Sequence, residues 1–306
     1  MTSRVPSSLA TRPETRPETP RASWPVRPAA LAALPYGLAF LAVYLLAVLT
    51  PFGQRAENFL FGPGEVGARP AWVYGLSGSA YGSSAMPPLE MTAMPTLLVG
   101  IAVIAAVAVV RRCWWQGVAA VGVVVLTLGS KEFARMVLPR PDWVGARESL
   151  LEASFPSGHA AIPAALVLGA VLVAAPRFRP YVALVGTGWF AVTAGAVLAT
   201  YHHRLSDVLG ATLLACAAYT LVVRLLPPSG DGAPAEPAAG PRIRPALALV
   251  VSAAAAFPAG ARSDSLTQSL AFGGTAFVCA CLFWWTACRG PARTARPGPA
   301  RTSASV

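Results

Sequence analysis

Eight apolar runs, each near the roughly 20 residues that a helix needs to cross a bilayer, constrain this chain before any motif is read. They fall near 29–50, 93–110, 115–133, 160–176, 181–201, 207–224, 244–260 and 268–287. Backbone inside a bilayer is satisfied only in helices or in closed barrels, and continuous apolar runs of this length predict helices. The expected fold is therefore an all-α polytopic membrane protein. A six-helix core occupies 29–226, and the Pro- and Gly-rich linker 227–243 leads to a C-terminal pair of helices over 244–288. The seventh run is the weakest of the eight, being short, Ala-rich and interrupted by Pro258 near its outer end. The ends 1–28 and 289–306 are rich in Pro, Arg, Ser and Thr and read as disordered tails. The first of them lacks the apolar core of a cleavable signal peptide.

Charge is scarce, at 12% of residues against about 25% in a soluble domain. The net charge of +11 would suit nucleic acid, but the arginines form no single basic face. They sit in short groups between apolar runs, which is a topology signal. Arg111 and Arg112, Arg177 and Arg179, Arg224, Arg242 and Arg244, and Arg289 onward share one side with the arginines of the N-terminal tail. The positive-inside rule makes that side cytoplasmic, with both termini inside, so the partner implied is the cell membrane rather than nucleic acid. No feature implies a protein partner. The five cysteines show no Cys-x-x-Cys spacing and read as small buried apolar residues. The outer segment 51–92, with Trp72, Tyr74 and Tyr81, reads as an interfacial aromatic belt, or else as a lid.

The rare polar residues are placed less evenly. The chain has three histidines, and Lys131 is the one lysine among 24 Lys and Arg residues. All four lie near outer ends of predicted spans. His159 and His203 are 44 residues apart, enough for two crossings and a tight turn, so both return to one face. Pro156-Ser157-Gly158-His159 opens a span, where free backbone N–H groups and the helix dipole favour an anion. Asp207 stands one helical turn beyond His203 and can fix that ring's tautomer. Blander readings exist for each motif alone: Ser157 could simply cap a helix, and Lys131 with its neighbouring arginines could hold lipid headgroups. A metal site from His159, His202, His203 and Asp207 would match no usual ligand spacing.

Taken in order, these residues resemble the type-2 phosphatidic acid phosphatase family, which shares a catalytic core with bacterial acid phosphatases and vanadium haloperoxidases. Its motifs are Lys-x6-Arg-Pro, Pro-Ser-Gly-His and Ser-Arg-x5-His-x3-Asp. The second is intact at 156–159, the end of the first at Arg140-Pro141, and the end of the third at His203-x3-Asp207. The resemblance spans about 93–224. It implies hydrolysis of a lipid phosphomonoester or pyrophosphate, of the phosphatidic acid or polyprenyl (pyro)phosphate type, at the extracytoplasmic face and without metal or other cofactor. In the implied roles His203 is the nucleophile, Asp207 its orienting partner and His159 the general acid and base. Lys131, Arg135, Arg140, Ser157 and Gly158 would hold the phosphate.

Two departures stand out. Lys131 precedes Arg140 by nine positions rather than seven, so either the helix end carries two extra residues or Arg135 takes over the role. Ala196 and Val197 replace the Ser-Arg of the third motif, which removes a phosphate-holding cation that Arg135 or Arg204 could replace. A catalytically weak lipid-phosphate-binding relative and a phosphotransferase therefore stay open as alternatives. A transporter is disfavoured, because no charge falls in mid-span and no broken helices recur in matching halves.

Overall fold

The computed structural model describes residues 26–61, 94–145, 154–226, 243–261 and 265–289. Most of both expected tails, the linker up to 242, and Trp72, Tyr74 and Tyr81 lie outside them. The described residues are helical, with no strand. Helix α1 (Val26–Val43) continues as a π-helical turn (Tyr44–Val48), and a short helix α2 (Pro51–Leu60) follows. Then come α3 (Met94–Val110), α4 (Trp114–Val137), α5 (Gly158–Val173), α6 (Arg179–Ala199) and α7 (Leu205–Leu225). Helices α8 (Pro245–Gly260) and α9 (Leu266–Cys288) close the chain.

Five of these segments are long and apolar enough to cross a membrane: Ala29–Val48, α4, α6, α7 and α9. Helices α3, α5 and α8 are shorter, at 17, 16 and 16 residues. The chain is a polytopic membrane protein. Its lipid-facing surface is visible on α1, where Leu31, Leu34, Leu38, Leu41 and Leu45 are exposed at alternating steps of three and four. The interior is α5, whose residues 160–169 are all buried, as a helix apolar on every side requires.

Small residues let these helices approach, as they do in membranes, where lipid is as apolar as leucine. A Cβ on Gly186 of α6 would stand 2.1 Å from Val167 of α5, and one on Gly260 of α8 would stand 2.4 Å from the Gly273 nitrogen of α9. The C-terminal pair packs directly on the core: α8 and α9 lie against α6, and α9 also meets α7. Phe190 stacks on Phe283 at 5.1 Å between ring centres, and Tyr36 of α1 shares a 2.7 Å hydrogen bond with Thr286. All five cysteines are free; Cys216 and Cys279 are buried as expected, but Cys288, at the end of α9, is exposed.

Chain direction sets what gathers at each end. The last turns of α4 and α6 and the first turns of α5 and α7 share one end of the bundle, together with α2. Arg111, Arg112, Arg177, Arg179, Arg224, Arg244 and Arg289 flank helix termini at the opposite end.

Candidate active site

The histidine pair is built by two helix ends. Helix α6 stops in a Schellman turn: the Tyr201 N–H donates to the Leu198 carbonyl (3.0 Å) and the His202 N–H to that of Val197 (3.2 Å). The turn needs a left-handed residue, and Tyr201 supplies it at φ +59° where glycine would be usual. Packing holds the tyrosine there, since its ring meets Phe61 and Phe272 at 5.2 and 5.9 Å between centres. The chain then turns straight into α7, which puts His203 just before the helix and Asp207 in its first turn.

Asp207 is fully buried, and its Oδ2 collects the local donors. Ser154 Oγ donates to it at 2.5 Å and the Arg204 N–H at 3.0 Å, while His203 Nδ1 lies 3.4 Å away. Oδ1 has no hydrogen-bond partner among the described residues. With a carboxylate at Nδ1, the neutral ring carries its proton there and leaves Nε2 as the acceptor, a tautomer assigned from its partner. His203 Nε2 faces His159 Nδ1 at 3.4 Å. His202, by contrast, pairs with Thr200 Oγ1 at 2.9 Å.

The start of α5 is fastened to the same place. The Ser157 N–H donates to the Asp207 carbonyl (3.0 Å), and Ser157 Oγ caps α5 by accepting from the Ala160 N–H (3.2 Å). Phe155 lies over Gly210 of α7, where a Cβ would come within 2.6 Å of its ring. Glycine is required there for the Pro156–His159 segment to sit against α7.

The cations divide. Lys131 is buried, ion-paired with Glu132, and its Nζ lies 3.5 Å from where a Cβ on Gly158 would stand. It therefore touches the N-terminus of α5 despite its displaced spacing. Phe133, at the usual lysine position, is exposed. Six residues of α4, about 9 Å of helix, extend beyond Lys131, so the site is recessed below that helix's end. Arg135 is exposed. Ala196 and Val197 are fully buried in the apolar core. Arg204, beside His203, is buried and donates to Asn58 Oδ1 of α2 at 3.4 Å.

Arg140 is 5% exposed at its side chain and pairs through Nη2 with Glu57 Oε2 at 3.1 Å. Glu57 Oε1 accepts from the Ser206 N–H at 2.9 Å. Burial, and next the nearby carboxylate of Asp207, push the Glu57 carboxyl up to about 7, against the pull of Ser206 and Arg140. Removing one partner of such a buried pair typically costs about 3–5 kcal/mol. Glu57, Gln54 and Ser154 were not foreseen as parts of the site. Helix α2 itself falls in the segment read as belt or lid.

Fold and geometry together define a helical membrane protein in which two histidines and a buried aspartate meet at one end of the bundle. Residues 112–231, a stretch that takes in α4 to α7, match the model of the PAP2 superfamily. The match suggests phosphatase chemistry on phosphate esters, and the apolar helices give it a membrane setting. Helices α1, α2, α3, α8 and α9 lie outside the match. Among curated proteins and among solved structures, nothing matches the chain.

Proposed function

We propose that this chain hydrolyses the phosphate ester or pyrophosphate of a membrane lipid through a phosphohistidine on His203, at the extracytoplasmic face. The observation that carries this reading is the alignment of three groups: Asp207 at Nδ1 of His203, and His159 opposite its Nε2. The Nε2 lone pair attacks phosphorus, and the bond to the leaving alkoxide (or phosphate) breaks as His159 gives that oxygen a proton. In the second step His159 takes a proton from water, water oxygen attacks phosphorus, and the N–P bond returns its pair to His203. Lys131, Arg140 and the α5 N-terminus at Ser157 and Gly158 would offset charge on the equatorial oxygens. The lipid preference rests on the site's recess in a bundle of apolar helices. The sidedness rests on the arginines at the far end, which the positive-inside rule puts in the cytoplasm.

A phosphate-release screen of the purified protein over phosphatidic acid and polyprenyl mono- and pyrophosphates, with and without EDTA, tests this. Release from at least one of them, unchanged by EDTA, is expected. No release from any would favour the lipid-phosphate-binding alternative, and loss with EDTA would remove metal independence.

The first motif makes a separate prediction. Lys131→Ala should lower turnover by roughly 100-fold, the usual loss when one oxyanion donor is removed. Arg135→Ala should stay within a few-fold of wild type, because its side chain is exposed while Lys131 meets Gly158. Equal losses in the two variants would mean instead that Arg135 shares the role with Lys131.

A further inference from the structure

Helix α2 lies outside the stretch that matches the superfamily, yet its polar side reaches the loop that carries Arg140. Gln54 clamps that loop on both sides of the motif: Nε2 donates to the Pro141 carbonyl at 2.6 Å, and Oε1 accepts from the Trp143 N–H at 3.1 Å. One helical turn on, Glu57 holds the guanidinium itself and, with its other oxygen, the backbone of Ser206 in the first turn of α7. Its carboxylate thus ties the Arg140 loop to the helix that carries Asp207. The outward side of α2 carries Phe52 and Phe59, both strongly exposed. Such a short helix suits the membrane interface, with its polar side turned into the protein rather than to water.

We propose that Glu57 is a positioning residue for the phosphate-binding arginine: it holds Nη2 of Arg140 so that Nη1 is left for a phosphoryl oxygen. Nη1 is buried and has no hydrogen-bond partner among the described residues, although a buried guanidinium N–H ordinarily has one. An oxyanion would complete it. The demand on Arg140 is raised in this chain, because Val197 stands where the third motif would supply another arginine. One fixed fork of donors is worth more than a free one, since its geometry is set before the anion arrives. The inference rests on the phosphatase reading for its biological meaning, but it can be tested by anion binding alone.

The test is a double-mutant cycle on the full chain in detergent, with inorganic phosphate as the probe. Its Kd is followed by the phosphate-dependent rise in Tm, and turnover is measured in parallel. Arg140→Gln should weaken phosphate binding roughly ten- to a hundredfold, the worth of a charge-assisted hydrogen bond. Glu57→Gln should weaken it nearly as much, although Arg140 is still present, and Glu57→Asp should recover part of the loss. The double variant Glu57→Gln/Arg140→Gln should bind no worse than Arg140→Gln alone. That variant also leaves no buried charge unpaired, so it serves where Glu57→Gln fails to fold. Wild-type phosphate affinity in Glu57→Gln, or losses that multiply in the double variant, would overturn the positioning role. A lower Tm with unchanged affinity would do the same, leaving Glu57 a purely structural partner. If phosphate binding follows the expected pattern while no lipid phosphate is hydrolysed, the positioning role stands and the phosphatase reading falls. If wild type binds no phosphate, both fall.

Discussion

His203→Ala abolishes both turnover and any trapped phosphoryl adduct, and His202→Ala leaves both in place. This is the expected result of a brief reaction with labelled lipid phosphate followed by an alkaline quench, which preserves an acid-labile, base-stable phosphohistidine. The two histidines are adjacent, but the turn that ends α6 separates their roles. His202 lies at the close of the Schellman turn, with its ring on Thr200. His203 is the next residue, and its ring falls between Asp207 and His159. His203 has the carboxylate of Asp207 to hold the proton on Nδ1 and to stabilise the positive charge that would appear when Nε2 bonds to phosphorus. Removing the nucleophile removes the covalent route altogether, so the loss should reach the background rate. His159→Ala should still form some adduct from a substrate with a good leaving group, because that group needs little protonation. An adduct that survives His203→Ala and vanishes in His202→Ala would move the third motif by one residue. The absence of any adduct in wild type would count against the phosphohistidine route.

The helices and the histidine pair were legible because each depends on a local pattern. Apolar runs mark spans, and Ser157 before Gly158 marks a helix start. The four-residue step from His203 to Asp207 survives any packing that keeps α7 helical. Lys131 was half legible. Its type and place at the end of α4 were clear, but which residue faces inward depends on helix phase, and the motif spacing pointed two positions away at Phe133. The partners that make the site rigid were not legible, because they arrive by tertiary approach. Glu57 meets Arg140 across 83 residues, and Ser154 meets Asp207 across 53. Helix α2 did leave a signal: Thr50 followed by Pro51 is a cap and first-position pair, and Gln54, Glu57 and Asn58 share one helical face. That face is short and polar and follows a long apolar run, so the segment read as part of an outer loop. The pairing of the C-terminal helices with α6 was hidden for a related reason: small residues such as Gly195 of α6, where a Cβ would meet Ala259 and Gly260 of α8, permit contact without naming the partner.

Asp207→Asn should lower turnover by a factor on the order of 10³ to 10⁴ while the protein stays folded. The geometry makes this a test of charge more than of shape. All three local donors, Ser154 Oγ, the Arg204 N–H and His203 Nδ1, converge on the single oxygen Oδ2. An asparagine can place its carbonyl oxygen there, keep the cap on α7 and still face the ring. Its amide nitrogen then takes the position of Oδ1, which has no hydrogen-bond partner among the described residues. A buried, unsatisfied amide costs about 1–3 kcal/mol, which most folded domains tolerate. What the substitution removes is the negative charge opposite a ring that would become cationic if Nε2 bonds to phosphorus as proposed. A buried carboxylate with one bare oxygen is expensive to maintain as structure alone, and it is useful where a cation must form. The loss should therefore appear mainly in kcat, with the Tm shifted by only a few degrees and inorganic phosphate still bound. Wild-type turnover in Asp207→Asn would reduce the residue to the cap of α7. A collapse of Tm matching the loss of activity would show that the charge serves the fold and not the reaction.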